Sequence, residues 1–347
     1  MEKRRLGLTD LDVPVLCLGT IMMGDQINED ASRTQMDACA ERGVNFFDTA
    51  ELYTVPPKAE TQGESERIVG RWMADRNNRK DMIIATKVAG RVDVPWLRGG
   101  EECRLSRDQI IAAAECSLKN LQTDYIDLYQ THWPDRRAQM FGSSLYGYVH
   151  YDEPGIAIEE TIRAMEELVS SGKVRHIGVS NETPYGVMRH LQNAGDHSLP
   201  RIVSIQNAFN LLNRTFESGL AEIAIEESVG LLAYSPLAQG TLTGKYMDGV
   251  VPKGSRRDFM DRMQRYQKPG VENAVRRYVD IANDFGIAPA AFAMAFVTSR
   301  PFLTSNIFGA NGLDQLQMIF GSLDVKWTDE MERTVNGAFA ELQSPAP

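Results

Sequence analysis

The sequence contains few cysteines, no excess of basic residues and no long apolar run. Its four cysteines, Cys17, Cys39, Cys103 and Cys116, are far apart and form no Cys-x-x-Cys pair, so neither a disulfide framework nor a metal site is expected. With 37 Lys+Arg against 47 Asp+Glu the formal charge is −10, which is not typical of a protein that binds nucleic acid or an anionic membrane surface. The longest strongly apolar stretch, around residues 287–297, is too short to cross a bilayer, and no secretory signal begins the chain. We therefore expect a cytoplasmic protein that binds neither nucleic acids nor membranes.

Several well-known catalytic signatures are also missing. The sequence has no His-Glu-x-x-His, no Gly-x-Ser-x-Gly and no Gly-x-Gly-x-x-Gly after a predicted strand. Residues 240–246 resemble a P-loop, but the spacing is one residue short and Tyr246 stands where a magnesium-binding Ser or Thr would be. A loop bracketed by glycines and carrying Lys245 is still suited to hold a diphosphate through backbone N–H groups and charge. A purely structural turn is the alternative.

The sequence does contain a regular alternation of apolar runs and segments with helical periodicity. Eight apolar runs bounded by turn residues predict strands buried on both faces, at residues 15–19, 44–48, 82–88, 126–132, 176–180, 202–207, 230–234 and 306–309. Between them, Ser32–Gln35 and Ser106–Gln109 each fit a capping box at a helix start. Eight strand–helix units without a linker predict a single α/β domain over residues 1–347, a (β/α)8 TIM barrel.

Segments outside the eight units predict additions to the barrel. Residues 1–14 read as an N-terminal β-hairpin that covers the bottom of the barrel, and extra C-terminal helices are expected near Leu313 and from about Thr328. The connections at 89–105 and 133–157 are too long for plain turns and follow strands, so we predict that they are substrate loops. Trp133 and Tyr146 in the second loop are suited to stacking on an apolar substrate, but packing of the loop on itself is an equal alternative.

Polar residues stand at the carboxyl ends of the predicted strands. Asp48, Lys87 and His132 end three successive strands, and Tyr53 follows Asp48 by five residues. Each has a structural explanation when taken singly, but strand ends converge on one mouth of a barrel, so we predict a proton-transfer set. Lys87 would lower the pKa of the Tyr53 phenol, and Asp48 would hold the lysine charged. His132 would hydrogen-bond the same substrate oxygen, and the set would protonate a carbonyl oxygen whose carbon receives hydride.

These motifs, in this order, resemble those of the aldo-keto reductases. The resemblance rests on residues 43–53, 177–181 and 233–246 together with Lys87 and His132, and it covers nearly the whole chain. The segments 53–63 and 178–183 and the closing residues 345–347 are similar to the bacterial Tas-type members. The resemblance implies a (β/α)8 barrel and an NADP(H)-dependent oxidoreductase that reduces an aldehyde or ketone to an alcohol, with Tyr53 as general acid.

The same resemblance implies a set of cofactor-binding residues. Ser180, Asn181 and Gln206 would bind the nicotinamide amide, and Tyr234 would stack on its ring. The other implied contacts are Thr20, then Ser235, Leu237, Gly240 and Lys245 along the diphosphate, and Arg256, Gly309, Asn311 and Gln315 at the adenosine 2′-phosphate end. Met318 and Ile319 stand where many members carry an acidic residue and an asparagine for the adenine amine. Preference for the phosphorylated cofactor would then depend on Arg256, a planar cation suited to phosphate.

Two other functions are compatible with the same residues. One is a cofactor-binding regulatory subunit that senses redox state with little turnover, as in channel-associated members of that family. The other is a Schiff-base aldolase with Lys87 as nucleophile, which predicts no dependence on nicotinamide and gives no role to Tyr234 or residues 240–245. The sequence does not select the carbonyl substrate or the oligomeric state.

Overall fold

The computed structural model describes residues 1–141, 147–259 and 264–347. The strands are β1 (Lys3–Arg5), β2 (Asp12–Pro14), β3 (Leu16–Gly19), β4 (Phe46–Asp48), β5 (Ile83–Val88), β6 (Ile126–Thr131), β7 (Val174–Ser180), β8 (Ile202–Ala208), β9 (Gly230–Tyr234) and β10 (Leu303–Phe308). The α-helices are α1 (Glu29–Glu41), α2 (Glu64–Arg76), α3 (Arg107–Leu121), α4 (Ile158–Ser170), α5 (Pro184–His197), α6 (Leu220–Glu226), α7 (Arg256–Phe259), α8 (Val271–Asp284), α9 (Pro289–Thr298), α10 (Leu313–Gly321) and α11 (Asp329–Leu342).

Strands β3 to β10 form a closed parallel barrel in chain order, with β10 pairing back onto β3. This confirms the predicted (β/α)8 barrel. Every residue of β4, β5, β6 and β10 is buried, as expected for strands covered on both faces. The last strand begins at Leu303, earlier than predicted, because the buried polar residues Thr304 and Ser305 interrupt its apolar run.

The N-terminal hairpin closes the bottom of the barrel. Strands β1 and β2 pair antiparallel, and Leu6 and Val13 pack with the barrel's interior side chains, including Phe46. Gly7 has a φ of 58°, and a Cβ at this position would lie 2.6 Å from the Val203 carbonyl oxygen. Both the backbone conformation and the close approach require glycine here, and the predicted hairpin is confirmed.

One of the two predicted helix starts differs from the structure, and neither Ser32 nor Ser106 makes the hydrogen bond of a capping box. Helix α1 begins at Glu29, where Asn28 accepts a hydrogen bond from the Ala31 N–H; Ser32 lies inside the helix and donates to the Asn28 carbonyl. Asparagine is as good an N-cap as serine, so the earlier residue starts the helix. Ser106 is the N-cap residue of α3, so the predicted start of this helix is confirmed, but its side chain makes no capping hydrogen bond.

The C-terminal additions lie where the sequence places them. Helix α10 follows β10, and Thr328 caps α11 by accepting from the Met331 N–H. Among the described helices, none is by itself long and apolar enough to span a membrane. Helices α8 and α9 meet that length and composition only jointly, across a bend of 93°, and most of the side chains of α9 are buried in the protein.

Candidate active site

A cleft of about 1120 Å³ opens at the carboxyl ends of the barrel strands. It is lined by sixteen of the predicted site residues: Asp48, Tyr53, His132, Trp133, Ser180, Asn181, Gln206, Tyr234, Ser235, Leu237, Gly240, Lys245, Arg256, Gly309, Asn311 and Gln315. Lys87 is fully buried beneath it. Thr20 does not line the cleft, because its hydroxyl is turned to Ser65 (2.6 Å) and the Asp48 carbonyl. Tyr146 lies outside the described residues.

Three of the four predicted proton-transfer residues meet at one ammonium group. The Lys87 Nζ donates to Asp48 Oδ2 at 2.6 Å, to the Thr49 carbonyl at 2.8 Å and to the Tyr53 hydroxyl at 3.3 Å. Asp48, Tyr53 and Lys87 are all buried, so water screens these charges little. The strand ends of β4 and β5 and the loop after β4 therefore bring the predicted residues into direct contact.

The carboxylate of Asp48 is held on its other side by two amides. Gln206 Nε2 donates to Asp48 Oδ1 at 2.8 Å, and Gln130 Nε2 approaches the same oxygen at 3.3 Å. The side chain of Gln206 is thus already engaged with Asp48 at the edge of the cleft. Gln130 was not anticipated from the sequence.

The phenol of Tyr53 differs from the expectation in the direction of its pKa. Burial raises the pKa of Tyr53, and this outweighs the lowering that the nearby Lys87 charge produces; Asp48 adds to the rise. Burial alone would lower the pKa of Lys87, but the Asp48 carboxylate and Tyr53 outweigh it, so the pKa of the ammonium lies above its ordinary value. The predicted lowering of the Tyr53 pKa is therefore wrong. A buried phenolate loses its hydration, and this loss outweighs the attraction of one nearby ammonium. The arrangement keeps a proton on Tyr53.

His132 follows β6 and faces Tyr53 edge-on, with ring centroids 5.6 Å apart. Burial and the charge of Lys87 hold its pKa well below the ordinary value, so the imidazole is neutral at physiological pH. Its Nδ1 is buried without a hydrogen-bond partner in the part of the chain that the structure describes. A neutral imidazole with a free ring nitrogen is suited to a polar group entering the cleft.

The residues expected to bind the nicotinamide amide form a connected set at the centre of the cleft. Asn181 donates to the His132 carbonyl at 2.9 Å and accepts from the Tyr234 hydroxyl at 2.7 Å. Ser180 donates to the Gln206 carbonyl at 2.8 Å. The Ser180 hydroxyl oxygen and the Asn181 side-chain oxygen each retain a lone pair. These residues are therefore able to bind an amide without breaking their own hydrogen bonds.

One arm of the cleft is basic. Lys245, Arg256 and Arg265 line it, and none of them forms a salt bridge within the described ranges. Burial lowers the pKa of Arg256, and its Nε is buried with no hydrogen-bond partner among the described atoms. At Gly240, whose φ is 89°, a Cβ would lie 3.0 Å from the Lys245 Nζ, so glycine leaves the ammonium room over this loop. Partly buried cations without an acidic partner among the described residues fit an anionic group such as a diphosphate.

The other arm of the cleft is apolar. Its wall is made largely by the two predicted loops and by the segment that carries Tyr53, with Leu52, Val94, Trp96, Trp133, Met140 and Phe141 as lining residues. Arg91 lies at this end and is paired with Glu102 at 3.0 Å and with Glu153 at 3.1 Å. Among the residues that the structure describes, this arm consequently presents no unpaired positive charge to a substrate.

Three residues of the site were missed from the sequence. Gln130 stands two residues before His132, on the same face of the predicted strand as Leu128, and a polar residue on this inward face is the local signal for it. Arg265 contacts Tyr234 and lies 5.8 Å from the Phe141 ring across the cleft, and Trp96 lies in an irregular connection; neither had a distinguishing local pattern. Within the described parts of the chain, no group of His, Cys, Asp or Glu is arranged to hold a metal ion.

Comparison with known proteins agrees with this geometry. The model of the "Aldo/keto reductase family" matches residues 15–338. The chain is 43% identical to "Protein tas" of Escherichia coli (strain K12) over the whole of both chains. It is 39% identical to an "Aldo-keto reductase" of Babesia bovis, over 76% of this chain and 98% of that one. It is also 29% identical to a "Probable voltage-gated potassium channel subunit beta" of Arabidopsis thaliana, over 94% and 92%. The chain therefore belongs to the aldo/keto reductase family, whose members are oxidoreductases that act on small carbonyl compounds with a nicotinamide cofactor.

Proposed function

We propose that this protein reduces an aldehyde or ketone to an alcohol with NADPH, and that Tyr53 is the general acid. The observation that carries the proposal is the buried contact of Lys87 Nζ with both Asp48 (2.6 Å) and Tyr53 (3.3 Å). A carbonyl oxygen that gains negative charge needs a proton and a nearby positive charge. The phenol and the ammonium supply both at one point of the cleft.

The residues present fit a nicotinamide dinucleotide. When bound, this group supplies the hydride. Lys245 and Arg256 offer positive charge to its phosphates, and Asn181 offers polar atoms to its amide. Arg256 is the residue proposed to favour the phosphorylated form, because a guanidinium binds a phosphate in two-pronged geometry.

The chain's own residues then carry the proton. Tyr53, kept protonated by burial, donates its hydroxyl proton to the carbonyl oxygen, and Lys87 stabilises the phenolate that remains. Neutral His132 orients the same oxygen through a hydrogen bond. The apolar wall around Trp96 and Trp133 excludes water and binds the organic part of the substrate.

Two alternatives are less well supported. An amine that attacks a carbonyl must be unprotonated, whereas Lys87 is surrounded by three hydrogen-bond acceptors that favour the ammonium; this disfavours the Schiff-base aldolase. Similarity to the channel subunit of Arabidopsis thaliana favours a regulatory role as the second candidate. Catalysis is the first candidate because the chain carries all four residues of the proton-transfer set, Asp48, Tyr53, Lys87 and His132.

The proposal is tested by NADPH oxidation with a panel of aldehydes, quinones and cyclic ketones, using the parent protein and Tyr53→Phe. We expect turnover in the parent, a loss of at least about 100-fold in kcat in the variant, and unchanged NADPH affinity by fluorescence titration. NADPH binding without turnover on the whole panel would support the regulatory role. Absence of NADPH binding would contradict both readings.

A further inference from the structure

Gln130 is a buried amide in the interior of the barrel. It lies in β6, in register with Lys87 of β5 and Gly178 of β7, and none of its surface is exposed. Leu128, two residues earlier on the same face, belongs to the apolar interior cluster. Burial of an amide costs free energy unless the amide is hydrogen-bonded, so the partners of Gln130 explain its presence.

Those partners belong to the proton-transfer set. Gln130 Nε2 lies 3.3 Å from Asp48 Oδ1, and its Oε1 lies 3.5 Å from the Gln206 Nε2. The neighbouring strand leaves room for this arrangement, because a Cβ at Gly178 would stand 3.3 Å from the Gln130 Cγ. The amide therefore contacts one carboxylate oxygen of Asp48, and Lys87 contacts the other.

We propose that Gln130 is a positioning residue of the reductase, which fixes the Asp48 carboxylate so that its other oxygen faces Lys87. Gln130 does not line the cleft, so it acts through Asp48 and contacts neither substrate nor cofactor. Donation to Oδ1 holds the plane of the carboxylate and offsets part of its negative charge. This inference rests on the proposed function of Tyr53 and Lys87.

The first test replaces the amide by a side chain of similar length without a donor. In Gln130→Met we expect kcat for carbonyl reduction to fall roughly ten-fold, the scale of one hydrogen bond to a charged group. The KM for the carbonyl and the NADPH affinity should stay within about two-fold of the parent, because no cleft contact is removed. Ser204→Ala is the control: this buried residue faces the same interior layer, and its Oγ has no hydrogen-bond partner in the described part of the chain.

The second test separates positioning from packing. In Gln130→Glu the introduced carboxyl donates to Asp48 while protonated, as the amide does, and repels it once ionised. We expect kcat near the parent value at low pH and a fall of roughly ten-fold as pH rises. This fall should occur at lower pH than the loss caused by ionisation of Tyr53, and neither the parent nor Ser204→Ala should show it. The proposal would be overturned if Gln130→Met had the kcat of the parent and the kcat of Gln130→Glu had the same pH dependence as that of the parent.

A measurement that needs no turnover separates this proposal from the proposed function. The introduced carboxyl has a raised pKa in the folded state, so the stability of Gln130→Glu relative to the parent should fall as pH rises. Adding Asp48→Asn should remove most of that fall, because the opposing charge is gone. An unchanged pH dependence in the double variant would overturn the contact of Gln130 with Asp48, whereas a parent without turnover would contradict the reductase itself. If Gln130→Met does not fold, Gln130→Glu at low pH provides the folded comparison.

Discussion

Glu51 and Arg98 join two loops at the mouth of the barrel through a buried ion pair with two hydrogen bonds. The Arg98 Nη2 lies 2.6 Å from Glu51 Oε1, and Nη1 lies 2.9 Å from Oε2; the side chains are 10% and 3% exposed. Glu51 precedes Tyr53 by two residues, and Arg98 follows the cleft residue Trp96 by two. The pair thus fixes the acid-bearing segment against the apolar wall of the cleft.

Breaking this pair on one side should destabilise the protein more than removing both charges. Arg98→Met leaves Glu51 buried without its cation, and we expect the free energy of unfolding to fall by about 3 kcal/mol. Combining Arg98→Met with Glu51→Gln should recover part of that loss. Urea unfolding of the two variants and the parent measures both effects. Equal stability of the single variant and the parent would contradict a structural role for the pair.

The pH dependence of carbonyl reduction follows from the two shifted groups. Burial raises the pKa of Tyr53, and burial together with Lys87 lowers the pKa of His132 well below its ordinary value. Tyr53 is a proton donor only below its pKa, so kcat should fall as pH rises through that raised pKa, above about 10. His132 is already neutral near its ordinary pKa of about 6.5, so no step should occur there. Measurement of kcat from low to high pH checks both expectations. An inflection near neutrality would contradict the conclusion that His132 is neutral there.

Removal of the Arg256 charge should discriminate between the two nicotinamide cofactors. In Arg256→Met we expect NADPH affinity to fall by about 10- to 100-fold, the range of a charge-assisted hydrogen bond, with a much smaller effect on NADH. Lys253→Met, which removes an exposed cation three residues away, is the matched control. Fluorescence titration with each cofactor measures the effect. Equal losses for both cofactors would place Arg256 at a phosphate that they share.

The apolar wall should determine which carbonyl compounds are used. Trp96 lines the cleft and its surface is 44% exposed, so Trp96→Ala should change the free energy of unfolding by no more than about 0.5 kcal/mol. We expect KM to rise several-fold for bulky aromatic carbonyls and hardly at all for small aldehydes. Leu8→Ala, an exposed apolar residue near the hairpin at the opposite end, is the control. Parallel changes for large and small substrates would contradict this role of the wall.

Much of the site could be predicted because strand ends in a barrel share one geometry. Asp48 and Lys87 follow from the apolar runs that precede them, since a closed parallel barrel brings the ends of its strands to one mouth. Thr20 stands at such an end and yet does not line the cleft, because the Ser65 hydroxyl of α2 captures its side chain. The position of a residue at a strand end predicts where its backbone lies, but the rotamer of its side chain depends on neighbours that are distant in sequence.

The contacts that support the site were not predictable in the same way. Gln130 and Gln206 are 76 residues apart in the chain and approach each other to 3.5 Å, a contact that exists only after the barrel closes with Gly178 between them. The direction of the Tyr53 pKa shift depends in the same way on tertiary structure. The sequence shows the cation beside the phenol, whereas the loss of hydration is known only once the burial of Tyr53 is known.

The sequence by itself determined the order and number of the barrel strands, the N-terminal hairpin and the polar residues at the strand ends. These features depend on local periodicity, turn residues and glycine positions such as Gly7, which act over a few residues. Only the tertiary structure decided which charges are paired: Arg91 forms salt bridges with two glutamates, whereas Arg256 lies in the cleft with no acidic partner among residues 1–141, 147–259 and 264–347. Pairing, burial and the resulting pKa shifts arise from contacts between distant segments, so they are fixed when the barrel and its loops pack together.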